Sequence, residues 1–214
     1  MLGTWKLQVS LQIGLAAVPV ALYFLILGLL NSQRRPQMLS GRLDFALLMS
    51  ALAPMGVVPL LNWIGVNLFT LGGAIGAVVC AVLALAPRSH QSWVIYNIDR
   101  ARVLRSLERA LHTAQIPFER VQDRLELPGG GIIELSAFPL LRNVTVHVQA
   151  GQLDRADVRR LELELARRIS HVEVAASPMA VSFVLVSTAM IVAPLILLAD
   201  RVPEMVRLLT DLMG

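Results

Sequence analysis

The chain has 214 residues, of which 56% are hydrophobic, 5% aromatic and 16% charged; an ordinary soluble domain is about 45–50% apolar and 25% charged. That balance argues against a chain soluble along its whole length, and its single cysteine, Cys80, excludes an internal disulfide framework and a cysteine-rich zinc site. The formal charge of +4 points to nucleic acid only until the charges are placed along the chain.

Three stretches carry no charge: residues 7–33, 45–87 and 174–199, which are 27, 43 and 26 positions long. A bilayer core about 30 Å thick needs about 20 apolar helical residues. The first and last stretches each fit one span, whereas the middle one, drawn as a single helix, would reach about 65 Å and must turn back. The expected fold is therefore an integral membrane α-helical protein with about four transmembrane helices and a small soluble α+β domain.

The first span is expected at 9–30. Its apolar core, Ile13 to Leu30, exceeds the roughly 7–15 residues of a signal peptide, so it reads as an uncleaved anchor. Arg34, Arg35 and Arg42 follow in the first loop. The second span is expected at 44–61, interrupted by Pro54 and Pro59, and the third at 66–86. The turn between them falls in Pro59-Leu60-Leu61-Asn62-Trp63-Ile64-Gly65-Val66-Asn67. A re-entrant loop in place of these two spans is the alternative, since irregular backbone at membrane depth is tolerated when protein shields it. On span three, Gly72, Gly76 and Cys80 recur every four residues beside Gly73, Ala77 and Ala81, which makes a small-residue face suited to close helix packing within the chain or with a partner.

Residues 1–87 thus form an N-terminal membrane region, and residues 88–175, opening on Arg88, form the soluble domain. This segment holds 13 arginines and 11 acidic residues, interspersed as on a solvated face, so no nucleic-acid partner is expected. Trp93-Val94-Ile95-Tyr96 reads as a strand. Asp99 can cap a helix over about 100–115, with Val103, Leu107, Ala110, Leu111 and Ala114 as its buried stripe. Residues 118–127 and 131–138 flank Pro128-Gly129-Gly130-Gly131 and read as a hairpin, the glycine run being a turn and not a phosphate loop, because no Lys-Ser/Thr pair follows it. In 144–149, Val144, Val146 and Val148 alternate with polar residues, the mark of a strand with one buried face. A second helix is expected over about 155–170, with Asp154 as its cap and Val158, Leu161, Leu165 and Ile169 inward. The order β-α-β-β-β-α implies an antiparallel sheet with two helices on one face. It resembles ferredoxin-like topology in outline, a likeness that carries no function.

Span four lies within 176–199. Beyond it, residues 200–214 place Val202, Met205, Val206, Leu209, Leu212 and Met213 on one helical face opposite Glu204, Arg207 and Asp211, the pattern of an amphipathic interfacial helix.

Arginines and lysines near span ends set orientation. Arg34, Arg35, Arg42 and Arg88 outweigh Lys6, Arg201 and Arg207, which places residues 88–175 in the cytoplasm and both termini outside, in a membrane such as the bacterial inner membrane. No charged residue lies inside a span, where a proton or ion relay would need one. Gln12 with Ser187 or Thr188 is expected to form an interhelical hydrogen bond. The histidines His90, His112, His147 and His171 lack metal-site spacing, and no nucleophile motif is present, so no cofactor, metal or catalytic residue is expected. The reading is a non-enzymatic interaction or assembly module whose partners are the bilayer and either another protein or a second copy of itself through span three. The alternatives are an oligomeric channel or transporter subunit and, further off, a membrane-bound enzyme acting on lipid headgroups.

Overall fold

The computed structural model describes residues 2–65, 68–86, 92–122, 124–149, 151 and 154–199, together with 202, 203, 206 and 210. Its helices are α1 (Leu2–Ser32), α2 (Gly41–Ile64), α3 (Leu68–Leu85), α4 (Arg100–Thr113), α5 (Arg155–Ser170) and α6 (Pro178–Ala199). Its strands are β1 (Gln37–Ser40), β2 (Ser92–Tyr96), β3 (Glu119–Val121), β4 (Arg124–Leu127), β5 (Gly131–Phe138) and β6 (Asn143–Gln149).

Three helical stretches are long and apolar enough to cross a membrane: Gln12–Ser32, Gly41–Ile64 and Pro178–Ile196. Length and composition thus point to membrane association. The apolar stretch Phe69–Leu85 is shorter; at 1.5 Å per residue, α3 measures about 27 Å. Ser40 caps α2, its hydroxyl accepting from the Leu43 N–H at 3.3 Å. The helix then runs through Pro54 and Pro59 to Ile64, beyond the expected end at 61, and stops where the Gly65 N–H bonds the Leu61 carbonyl. Each proline removes one backbone hydrogen bond and leaves the rest of the ladder in place.

The six strands make one antiparallel sheet in the order β1-β2-β6-β5-β4-β3. Two strands differ from the sequence expectation. The loop after α1 contributes β1, which pairs Leu39 with Val94, so the sheet draws on chain outside 88–175. The strand expected over 118–127 divides at a turn in which Gln122 has φ 53°, and β3 folds back on β4. Pro128–Gly130 turns the chain from β4 into β5, as the glycine run implies.

One face of the sheet carries α4 and α5. The stripes Val103, Leu107, Ala110, Leu111 and Ala114 and Val158, Leu161, Leu165 and Ile169 pack there against Trp93, Ile95, Ile133, Val144, Val146 and Val148. Asp99 caps α4 by accepting from the Arg102 N–H at 2.9 Å, and Asp154 caps α5 by accepting from the Arg155 N–H at 2.6 Å. Among the described residues the other face is covered at its β1–β2 end, where Val94 and Tyr96 join Leu27 of α1, with Tyr23, Phe24, Leu30, Leu39 and Leu141 around them. Strand β2 is buried on both sides as a result, while β6 alternates buried valines with more open polar residues. Helix packing centres on α1 and α6, where Phe24 stacks on Phe183 with centroids 5.7 Å apart.

Candidate functional site

A largely buried polar cluster lies where the sheet meets α1 and α2. Tyr96 closes β2 with its ring buried, and its hydroxyl donates to Asp44 Oδ1 in the first turn of α2. Asn143 of β6 is the register partner of Tyr96. Burial is the larger cause, and the Asp44 bond the next, of a Tyr96 phenol held well above the ordinary tyrosine range. The group therefore stays a neutral donor at neutral pH. Asp44 borders the longest charge-free stretch of the chain, and Tyr96 is one of two tyrosines. Those features are the only trace of the pair in the sequence, which does not reveal that they meet.

Asn97, the residue after β2, is buried with φ 57°. Its Nδ2 donates to the Gln33 carbonyl at 2.8 Å and to the Ala175 carbonyl at 3.4 Å. One amide therefore clamps the chain leaving α1 to the chain approaching α6. Backbone bonds reinforce the clamp: Val174 N–H to Arg34 O at 2.9 Å and Ser177 N–H to Asn31 O at 3.1 Å. Asn31, also buried, donates to Leu27 O at 3.0 Å. The junction is mechanical: α1, α2, α6 and the sheet are held together by directional bonds as well as by packing.

Close approach of backbones occurs at glycines outside the expected face. A Cβ on Gly28 would lie 2.8 Å from Val184 Cγ2 and 3.2 Å from the Ala180 carbonyl, so α1 meets α6 there. A Cβ on Gly41 would lie 2.6 Å from Ser92 Oγ, which is how α2 fits against β2. By contrast, a Cβ on Gly72, Gly73 or Gly76 would meet nothing within 4 Å, and Ala77 and Cys80 are exposed. No helix of this chain packs on that face among the described residues; α3 contacts α2 instead.

Arg34, Arg35 and Arg42 are exposed beside β1 and the start of α2, at the end of the helices that carries the sheet; Arg88 lies outside the described residues. Val202 and Val206 are helical and exposed, whereas Met205, Leu209, Leu212 and Met213 fall outside the described residues. Gln12 Nε2 donates to Asn62 Oδ1 at 2.9 Å and so ties α1 to α2, not to α6 as expected. The hydroxyls of Ser187 and Thr188 instead donate to Val184 O of their own helix, the usual local outlet for a hydroxyl in an apolar helix. Among the described residues no three His, Cys, Asp or Glu side chains gather as metal ligands would. Comparison with family models, with curated proteins and with solved structures finds no match for this chain.

Proposed function

We propose that the chain is a polytopic membrane protein that holds one α+β domain at the cytoplasmic face and serves as an interaction or assembly module. The observation that carries this reading is the burial of β2 on both faces. A domain that needs only local concentration can hang on a flexible linker. Here the sheet is bonded and packed onto α1 and α2, so α4, α5 and the polar outer half of the sheet stand at a set height and angle above the bilayer. A platform for assembly needs that rigidity.

In this reading α1, α2, α3 and α6 span. Tyr23, Phe24, Leu27 and Leu30 touch the sheet cluster, so the C-terminal end of α1 lies on the sheet side. The apolar stretch Gln12–Ser32 supplies about 31 Å, enough for one crossing, and Gln12 is level with Asn62 at the far end of α2. Trp63 and Phe69, 85% and 90% exposed beside the α2–α3 turn, fit an aromatic belt at the opposite surface. Arg34, Arg35 and Arg42 fall on the sheet side and mark it as cytoplasmic, with both termini outside and 200–214 along the outer leaflet.

Leu163, an apolar side chain 64% exposed on α5, reports on that platform. A photo-crosslinking amino acid at position 163 of the full chain in native membranes should give discrete protein adducts. Recovery of none, at this site and at Ala101, would remove the reading.

A second reading, a channel or transporter subunit, draws on the open face of Gly72, Gly73, Gly76, Ala77 and Cys80, through which copies of α3 would associate. Proteoliposome flux in the wild type that is lost in Gly76→Leu would support it, and no flux from either protein would sink it.

A further inference from the structure

A cleft of about 520 Å³ opens between the C-terminal halves of α4 and α5, far from the junction cluster in chemistry and lined by different residues. Its polar lining is strongly cationic: Arg109 comes from α4, and Arg167, Arg168 and His171 come from α5 and the residue that ends it. The hydroxyls of Ser106 and Thr113 and one carboxylate, Glu164, complete the polar wall.

The carboxylate does not neutralise the arginines. Glu164 lies 4.0 Å from Arg167 Nη1 and 3.9 Å from Arg168 Nε, distances at the limit of an ion pair and beyond hydrogen-bond length. Arg109 pairs with no carboxylate among the described residues. Three guanidinium groups thus face one carboxylate.

Arg168 is the built part of the cleft. Its Nη2 donates to Thr113 Oγ1 at 2.6 Å, which fixes the guanidinium plane across the gap between the two helices. Its Nε is buried and has no acceptor within hydrogen-bond distance. His171 is oriented as well, its Nδ1 lying 2.7 Å from the Arg167 carbonyl.

Helix dipoles explain part of the charge. Cations in the last turn of α5 complement its carbonyl end, as Arg167 and Arg168 do. That effect does not call for Arg109 from the other helix. A phosphoryl group supplies what the cleft lacks, because its several oxygens accept from two guanidinium forks at once. The cleft also has the size of a small-ligand site.

We infer that the α4–α5 cleft binds a phosphate-bearing anion through Arg109 and Arg168. The phosphoryl group belongs either to a soluble phosphorylated molecule or to an anionic phospholipid headgroup, and the two sources separate by experiment. The full chain is placed in nanodiscs of phosphatidylcholine and titrated with inorganic pyrophosphate by calorimetry. In parallel, native mass spectrometry of protein from phosphatidylglycerol-rich membranes counts the phospholipid that stays bound. Saturable pyrophosphate binding, weakened at least tenfold by Arg168→Gln and by Arg109→Gln but unchanged by Arg160→Gln outside the cleft, supports the site with a soluble ligand. Retained phosphatidylglycerol that both cleft variants lose supports it with a lipid ligand. Arg109 is exposed, so its variant keeps the test valid if Arg168→Gln fails to fold. Absence of both signals in the wild type, or signals that neither cleft substitution changes, overturns the inference.

Discussion

The Tyr96 hydroxyl, at the end of β2, donates to the Asp44 carboxylate in the first turn of α2 and joins the sheet to a helix long enough to cross a membrane. Tyr96→Phe removes the donor while keeping the ring and leaves the carboxylate without it. Unfolding in mild detergent should show a loss of about 1–3 kcal/mol, the range for a buried polar group deprived of its partner.

The same pair predicts an alkaline signature. Burial and the Asp44 bond raise the folded-state Tyr96 pKa above the ordinary 10.0. The folded state therefore holds this proton more tightly than the unfolded chain does. The associated stability is fully present below about pH 10 and is lost as pH rises through the folded-state value. Melting temperatures at pH 8 and at pH 11 should fall further apart in the wild type than in Tyr96→Phe; equal differences would show that Tyr96 does not titrate as described.

Gly28 and Gly76 should respond oppositely to the same change. Gly28→Ala places a Cβ within 2.8 Å of Val184 and should destabilise the α1–α6 pair, by about 1–3 kcal/mol as overpacking does. Gly76→Ala meets nothing within 4 Å among the described residues and should raise monomer stability by about 0.5–1 kcal/mol, Ala being the better helix former. Denaturant titration of the two variants in detergent makes the comparison, and an equal loss in both would contradict the packing seen at Gly28.

At Asn97 two substitutions separate backbone from side chain. Asn97→Gly accepts φ 57° and loses only the amide that bonds Gln33 and Ala175; Asn97→Ala loses both. Proteolysis within 172–177 should be faster in Asn97→Gly than in the wild type and fastest in Asn97→Ala. A wild-type cleavage rate in both would remove the clamp.

Orientation is tested by cysteine labelling. In a Cys80→Ser background, Leu163→Cys should resist a membrane-impermeant maleimide in intact cells and react after permeabilisation. Efficient labelling in intact cells would invert the proposed topology.

The legible parts of the fold are those set by short-range periodicity. The stripe from Val103 to Ala114, the stripe from Val158 to Ile169, the valine alternation of β6 and the caps Asp99 and Asp154 each depend on residues within a few turns or pleats. Strand β1 carries no such signal. Its four residues have no alternation and become a strand because β2, more than 50 positions later, offers them an unpaired edge. Strand β3 is similar, since the reversal at Gln122 replaces one long strand with two short ones.

The sites divide in the same way. Gly72, Gly73 and Gly76 show the spacing of a packing face, yet Gly28 and Gly41 make the close approaches, because spacing describes one helix and contact requires two. Arginines were visible individually; that Arg109 and Arg168 line one cleft depends on how α4 crosses α5. By itself the sequence determined the charge-free stretches, most helices and the buried stripes, because hydrophobic burial acts residue by residue along a regular element. Only the tertiary structure decided that β2 is covered on both faces and that Tyr96 meets Asp44, because hydrogen bonds and close packing are set by pairs of surfaces distant in the chain.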